Sequence, residues 1–303
     1  MPSPSATGAF SSLLAPGLRK LYTEELRDRA TEYDQLAHVN TSTRNYEDDL
    51  QVALLGTTPR KNQGGPTTFD SPIMGATVRY THTSYGLGFR VTREMWDDDL
   101  YGVMKKASKD LAGANAETVE SQFADILNNG TSATSYAGFD TLALCSTAHT
   151  LLGGSTASTY ANRPSTDAEL SISALQAAIE SFEKMVNERG RQILAKPWRV
   201  VIPVELKWTA REILGSAYKP YVANNEINSL IDEELNFYVS HYMTDANNWY
   251  LLGKKHDLNV FWRTKPRFEN ADDFITGDAL FKTFFRLSQG FGSWREVYGS
   301  FPS

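Results

Sequence analysis

Cysteine is almost missing from this chain: Cys145 stands alone among 303 residues. A lone thiol rules out an internal disulfide framework and fits a reducing compartment such as the cytoplasm. Long hydrophobic runs are missing too. No stretch approaches the ~20 apolar residues a membrane span needs, and the opening MPSPSATGAFSSLLAPG lacks the basic start and apolar core of a secretory signal. Positive charge is not in excess. A net charge of -6 argues against a dedicated nucleic-acid binder, which is normally basic, though a protein can still face DNA from a distance. No fixed-period repeat runs along the chain.

Motifs of site chemistry are scarce as well. His38, His82, His149, His241 and His256 form no HxxxH or HxH pair. Cys145 with His149 falls short of the three or four ligands zinc takes. As a nucleophile and base, the two lack an evident oxyanion donor or orienting partner, and such pairs usually meet from distant parts of a chain. A buried or loop-anchoring role is the simpler reading. Gly86-Leu87-Gly88 lacks the third glycine and the strand-turn-helix setting of a dinucleotide fingerprint, and Gly64-Gly65 has no GK[ST] behind it. The residues point to no catalytic, metal or cofactor site.

What remains is ordinary globular material. Hydrophobic residues make up 41% and charged residues 22%, enough for one or two substantial cores. Residues 1–17, rich in Ser, Pro, Ala and Gly, read as a mobile arm. A short amphipathic helix follows, with Leu18, Leu21, Tyr22 and Leu26 on one face. Gly56–Gly75, GTTPRKNQGGPTTFDSPIMG, fits no compact core. Connections usually take ~4–6 residues, so this segment reads as an extended two-stranded excursion from the body.

Thr83, Tyr85, Leu87, Phe89 and Val91 alternate with Ser84, Gly86, Gly88, Arg90 and Thr92, as in a half-buried strand. A proline-free helical pattern then runs from about 92 to 129. Trp96, Leu100, Val103, Ala107, Leu111 and Ala114 form its apolar stripe, resumed at Val119, Phe123 and Ile126. Glu94, Asp97, Asp98 and Asp99 suit the positive end of its dipole better than they suit a cation site, and Asn128-Asn129-Gly130 stops it. Such a helix would be roughly 55 Å long, a strut more fitting for a building part than for an enzyme. Past a small, polar loop at 153–164, a compact α/β unit occupies 165–262. Its elements are a helix at Ser171–Glu188, a buried strand at Trp198–Ile202 and a helix at Val204–Leu214. Strands at Asn236–Tyr242 and Trp249–Leu252 follow, joined by the turn 244–248. The tail is strand-rich: NVFWRT, ALFKTFFRLSQ, GSWREVYG.

In this order, YGLGFRVTREMWDDDLYG (Tyr85–Gly102), LCSTAHTLLGG (Leu144–Gly154) with Asn162, IPVELKWTAREIL (Ile202–Leu214), NEIN (Asn225–Asn228) and NNWYLLG (Asn247–Gly253) resemble the major capsid proteins of tailed bacteriophages. Within the Hong Kong 97-like fold, they resemble the Mu-like major head subunits. The resemblance implies an α+β fold with an N-terminal arm at 1–45 and an extended E-loop hairpin at 46–81. A P-domain would span 82–162, with its spine helix at about 92–129, and take return strands from 263–303. A compact A-domain at 163–262 would point to the centre of each pentamer or hexamer.

The implied function is assembly into an icosahedral or prolate shell around double-stranded DNA, held without sequence-specific binding. The implied partners are further copies of itself, a scaffolding protein, a portal and a decoration protein. Its place would be the virion, after the host cytoplasm. Candidate intersubunit contacts are Arg60, Lys61, Phe69, Ile73 and Met74 on the E-loop, with Asn224 and Asn225. In some such shells an E-loop lysine crosslinks to a neighbour's asparagine. Lys61 lies in the right loop, but a partner asparagine matches no motif, so a solvated or salt-bridging lysine is the simpler expectation. Two alternatives stand beside this reading: an encapsulin-like compartment holding protein cargo, and a cytoplasmic hydrolase with Cys145 as nucleophile.

Overall fold

The computed structural model describes residues 10–92, 94, 95, 98, 102–152, 159–218, 226–273 and 275–302. The chain divides into two units. One comprises Met1–Glu47, Tyr80–Phe123 and Val260–Gln289; the other comprises Asp48–Arg79, Ala124–Asn259 and Gly290–Ser303.

The first unit is built on a four-stranded sheet. Its order is β1 (His38–Thr41), β8 (Leu258–Asp272), β9 (Ala279–Phe291), β4 (Thr83–Val91). β4 runs antiparallel to β9, from Thr83 opposite Leu287 to Val91 opposite Ala279. The alternation expected of β4 puts Tyr85 on Phe285 at 5.1 Å and Phe89 on Phe281 at 5.2 Å. Such cross-strand aromatic pairs are what hold a sheet's register. Gly88 on the opposite face is needed for close approach: a Cβ there would meet the Phe281 carbonyl oxygen at 2.7 Å.

Helices α1 (Phe10–Asp28), α2 (Tyr33–Leu36) and the start of α3 (Val103–Asn128) complete this unit. Leu18 and Tyr22 of α1 pack with Met104, Leu111, Phe268 and Phe281. The α1 helix reaches back to Phe10, further than the arm expected over 1–17, and contains Pro16.

The spine helix differs from its sequence reading in start and register. It begins at Val103, and its 26 residues give about 39 Å. Gly102 precedes it at φ 64, a left-handed conformation that an α-helix cannot pass through. Trp96, Asp97, Asp99 and Leu100 lie outside the described residues. Val103, expected in the apolar stripe, is exposed, and Ala107 and Ala114 are only half-buried. The buried face runs through Met104, Ser108, Leu111, Ala112, Asn115, Val119, Glu120 and Phe123.

Polar residues on that face shifted the hydropathy reading by one position. Ser108 donates to the Leu18 carbonyl at 2.8 Å. Asn115 Nδ2 donates to the hydroxyls of Tyr22 at 2.6 Å and Thr283 at 2.8 Å. Buried polar groups with such partners cost little, so a core face can carry them.

Glu120 is the most consequential of these. Both carboxyl oxygens accept backbone N–H groups, from Glu32 and Tyr33, each at 2.9 Å. The pair ties the α1–α2 connection to the spine helix. Burial pushes the carboxyl from 4.5 up to about 7; the two N–H donors oppose this, while Glu32 and Asp34 add to it. A folded-state pKa above the unfolded one means that the folded form holds the proton more tightly. Stability from this group should therefore fall as pH rises from about 4.5 to about 7. Urea midpoints at pH 5 and pH 8 for the native chain and Glu120→Gln check this. The native advantage over Glu120→Gln should shrink with rising pH, and a flat or growing difference would contradict it.

The second unit carries a sheet of order β10 (Val297–Ser300), β7 (Trp249–Gly253), β5 (Pro197–Pro203), β6 (Asn236–Ser240). Around it, α4 (Ile172–Glu183) and α5 (Lys207–Gly215) bury Leu175, Ile179, Phe182, Ala210 and Ile213 with Val200, Ile202, Trp249 and Leu251. The hairpin expected from Asn236–Tyr242 and Trp249–Leu252 does not form. β5 lies between them, parallel to β6 and antiparallel to β7. The turn at 244–248 thus crosses over a strand that sequence proximity could not reveal. The returning tail is also shared out: β8 and β9 pair with β1 and β4, whereas β10 pairs with β7.

α4 stops at Glu183, short of the expected Glu188. Beyond it, Asn187 Oδ1 accepts the N–H groups of Arg189 and Arg191, both at 2.9 Å, and Gly190 takes φ 73. A tight turn at 186–192 replaces the last helical turn.

Candidate intersubunit surface

β2 (Tyr46–Ala53) and β3 (Ile73–Thr81) form a sheet of their own, two-stranded among the described residues. Such a ribbon is marginal in water unless something packs on it. On β2 the buried residues are Gln51 and Ala53, whereas Tyr46, Leu50 and Val52 are exposed. The strand alternates, but with its larger apolar side chains outward.

Through the connection and into the start of β3, residues 57–74 are all exposed except Gly65. The tip is a turn in which Gly65 N–H bonds the Asn62 carbonyl at 3.1 Å, with Gly64 at φ 76 as a type II turn requires. Phe69 is 94% exposed and Met74 74%; Ile73 lies at the margin of exposure, at 37%. Arg60 and Lys61 are exposed and make no ion pair among the described residues.

The base of this excursion is fixed. Arg189 donates from Nε to the Leu54 carbonyl at 2.9 Å, and from Nη2 to Asp70 at 3.1 Å and the Ser71 carbonyl at 2.8 Å. Asp70 also accepts the N–H groups of Gly56 and Ser71, each at 2.8 Å. Those two bonds, and then Arg189, hold its carboxyl below the usual range. Arg79 closes the strands with a two-pronged ion pair to Asp48 at 2.7 and 2.8 Å. Glu188 accepts from Gln51 at 2.8 Å, from Arg295 at 2.6 Å and from the Leu152 N–H at 3.0 Å. A rigid root thus carries a loop that contributes almost nothing to a core.

The Cys145 and His149 region has a different role from a nucleophile and base. His149 is fully buried and stacks on Trp294 at 4.4 Å. Its Nδ1 meets Asp140 at 2.6 Å and its Nε2 meets Asn162 Oδ1 at 3.0 Å. Asn162 Oδ1 also accepts the Ser146 N–H at 2.9 Å. Its Nδ2 donates to the carbonyls of Leu144 at 2.7 Å, Val297 at 3.1 Å and Trp294 at 3.4 Å. Three carbonyls fix the amide's orientation, so both imidazole nitrogens face oxygen atoms. Burial raises the Asp140 carboxyl, but the His149 hydrogen bond and charge bring it below the usual range. Burial pushes the Cys145 thiol far up. A thiol in that setting stays protonated and inert, and the imidazole beside it in sequence is engaged elsewhere.

Asn224 and Asn225 lie outside the described residues. Sequence reasoning missed the exposed Trp208, Ile227 and Ile231 of the second unit. Their signal was legible in part: α5 buries Ala210 and Ile213, which leaves Trp208 on the outer side.

These helices and sheets, with an anchored and solvent-exposed hairpin, fit the Hong Kong 97-like capsid fold. Solved structures agree. The capsid structure of the cyanophage P-SCSP1u superposes with a TM-score of 0.56 at 12% identity, covering 91% of this chain and 89% of that one. The capsid of bacteriophage JBD30 decorated with minor capsid protein trimers gives 0.54 at 13%, covering 71% and 92%. A virus-like particle from Pyrococcus furiosus gives 0.52 at 11%, covering 94% and 98%. At such identities the likeness speaks for the fold alone. No curated protein matches. The model of the family described as phage capsid protein matches residues 75–299, and the chain belongs to that family. It is a major capsid protein, a structural subunit of a phage shell.

Proposed function

We propose that this subunit builds the head of a tailed phage of the Mu-like group, around double-stranded DNA, by straps as well as by faces. The observation that carries the reading is the exposed segment 57–74, which roots firmly and buries nothing at home. Residues 46–81 act as the E-loop, draped on a neighbour through Phe69, Ile73 and Met74, with Arg60 and Lys61 solvated or paired across the seam. Residues 1–45 act as the N-terminal arm. Residues 82–162 and 263–303 supply the P-domain, apart from β10, which is hydrogen-bonded to β7. Residues 163–262 form the A-domain at the capsomer centre, where Asn224, Asn225 and the exposed Trp208 would meet other copies.

Each contact is weak, but closure over many copies makes the shell. A scaffolding protein and a portal belong to this reading, as does a decoration protein like the trimers on the JBD30 capsid. The host cytoplasm precedes the virion.

Purified chain should give pentamers, hexamers or closed shells in negative stain. Light scattering that found only the 33.8 kDa subunit at every concentration and ionic strength would refute the reading. Particles recovered from the source should protect double-stranded DNA from nuclease. Protein cargo in its place would favour a nanocompartment instead.

A further inference from the structure

On the first unit's sheet, the face opposite the core carries cations, three of them without an ion-pair partner among the described residues. On β8, Trp262 and Phe268 face the core, Trp262 against Phe285 and Phe268 against Phe281. Arg263, Lys265 and Arg267 alternate with them and so share the opposite face. Lys282 and Arg90 have intrachain acidic partners: Glu269 at 3.4 Å, and Asp278 at 3.6 Å. Arg263, Lys265 and Arg267 have none among the described residues. Successive members of the row stand about 6.7 Å apart.

The same unit holds the complement. Past β4 the Asp98 N–H bonds the Glu94 carbonyl at 3.0 Å, a spacing of four as in a helix. Glu94 and Asp98 are exposed and lack an ion-pair partner among the described residues. Side chains four apart in a helix start from Cβ atoms about 5–6 Å from each other, and like charges there repel. Asp97 and Asp99 add to the charge of this segment. A row of cations and a pair of anions, at nearly the same pitch, are each self-repelling in a lone subunit. Each would be relieved by the other.

We infer that Arg263, Lys265 and Arg267 of one subunit dock on Glu94 and Asp98 of another copy, which makes this contact an electrostatic selector of the shell. The inference rests on the capsid reading. The occupant is a second copy because the complementary charge, at matching spacing, is in the sequence itself, and heterologous contacts of this kind are what build rings and shells. Like charges brought together cost several kcal/mol, and opposite ones steer encounter and fix register.

Charge reversal on each side and on both tests it. R263E/R267E and E94K/D98K should each lower particle yield by about tenfold or more. The fourfold variant should restore most of it. Melting temperatures of dissociated subunits should not move.

Normal assembly of either one-sided variant overturns the proposal, as does a well-folded fourfold variant that stays defective. Shifted subunit stability with normal assembly would mean that the charges pair within the subunit. A defect on the cationic side alone would mean another acidic partner, and would equally overturn it. If the reversals misfold, R263Q/R267Q serves instead. Native assembly should weaken from about 0.05 to about 0.5 M salt, and that variant should be far less sensitive. Failure of the native chain to form shells at all would count against the capsid reading, not against this pairing.

Discussion

Deleting Arg60 to Thr68, with a short glycine linker across the gap, should abolish shell formation and leave the subunit folded. The deleted residues are exposed apart from Gly65 and contribute nothing to either core cluster. The root survives the deletion: Gly56, Asp70 and Ser71 remain, with Arg189 and Arg191 bonded to the carbonyls of Leu54 and Leu55. Loop closure changes by only ~0.6 kcal/mol per doubling of length, a shift of roughly 2–4 °C in melting temperature at most for a chain of this size. Assembly loses far more, because the same lateral contact recurs in each subunit of a capsomer. The measurement sets the melting temperature of dissociated subunits beside particle yield by sedimentation. An unfolded deletion variant would place the loop in the core. Shells of normal yield and stability would mean that the loop straps nothing.

How far the sequence alone could carry this depends on which pairing rule a segment obeys. β4 was legible because its period of two coincides with its packing, Tyr85 and Phe89 falling on the aromatic rungs of β9. β5 was legible as a short run of buried, mostly branched residues, and α4 as an amphipathic stripe capped by Ser171. The excursion at 56–75 was legible by what it lacks: a segment of Gly, Pro and Thr with few apolar residues cannot join a core.

The failures have equally specific causes. Ser108 and Asn115 sit on the buried face of α3, satisfied by partners 90 and more residues away, and a hydropathy stripe cannot count them. β6 and β7 looked like a hairpin because adjacency in sequence is all that local signals report, and the strand between them comes from earlier in the chain. Asn162 was noticed as a motif residue, but its role depends on carbonyls from Leu144, Trp294 and Val297, which no spacing rule connects.

Asn162 should accordingly be among the least replaceable residues of the fold. Its side chain is fully buried and serves five polar groups at once. Asn162→Ala removes all five bonds. It strands the Ser146 N–H and one nitrogen of His149, besides three carbonyls, in a buried site. Each stranded group costs about 1–3 kcal/mol, so the loss should reach roughly 4 kcal/mol or more, enough to leave little stable subunit at 37 °C.

Asn162→Asp, nearly the same shape, should be worse. It keeps the acceptor for Ser146 and His149 but turns an oxygen on the three carbonyls, so the carboxyl must either repel them or take up a proton. Cys145→Ala is the contrast. It empties a sulfur's volume beside Gly299 and breaks no polar bond, so about 1–2 kcal/mol is expected. Urea titration of dissociated subunits, with solubility as the coarse readout, would rank the three. If Asn162→Ala were as mild as Cys145→Ala, the hydrogen bonds around His149 would be ornaments of the fold. If Asn162→Asp were tolerated, the amide orientation that gives both His149 nitrogens an acceptor would be wrong. The expected order, Asp below Ala and both far below the cysteine variant, follows from one geometric fact: the side of the Asn162 side chain that carries Nδ2 faces three carbonyl oxygens, which only a donor can satisfy.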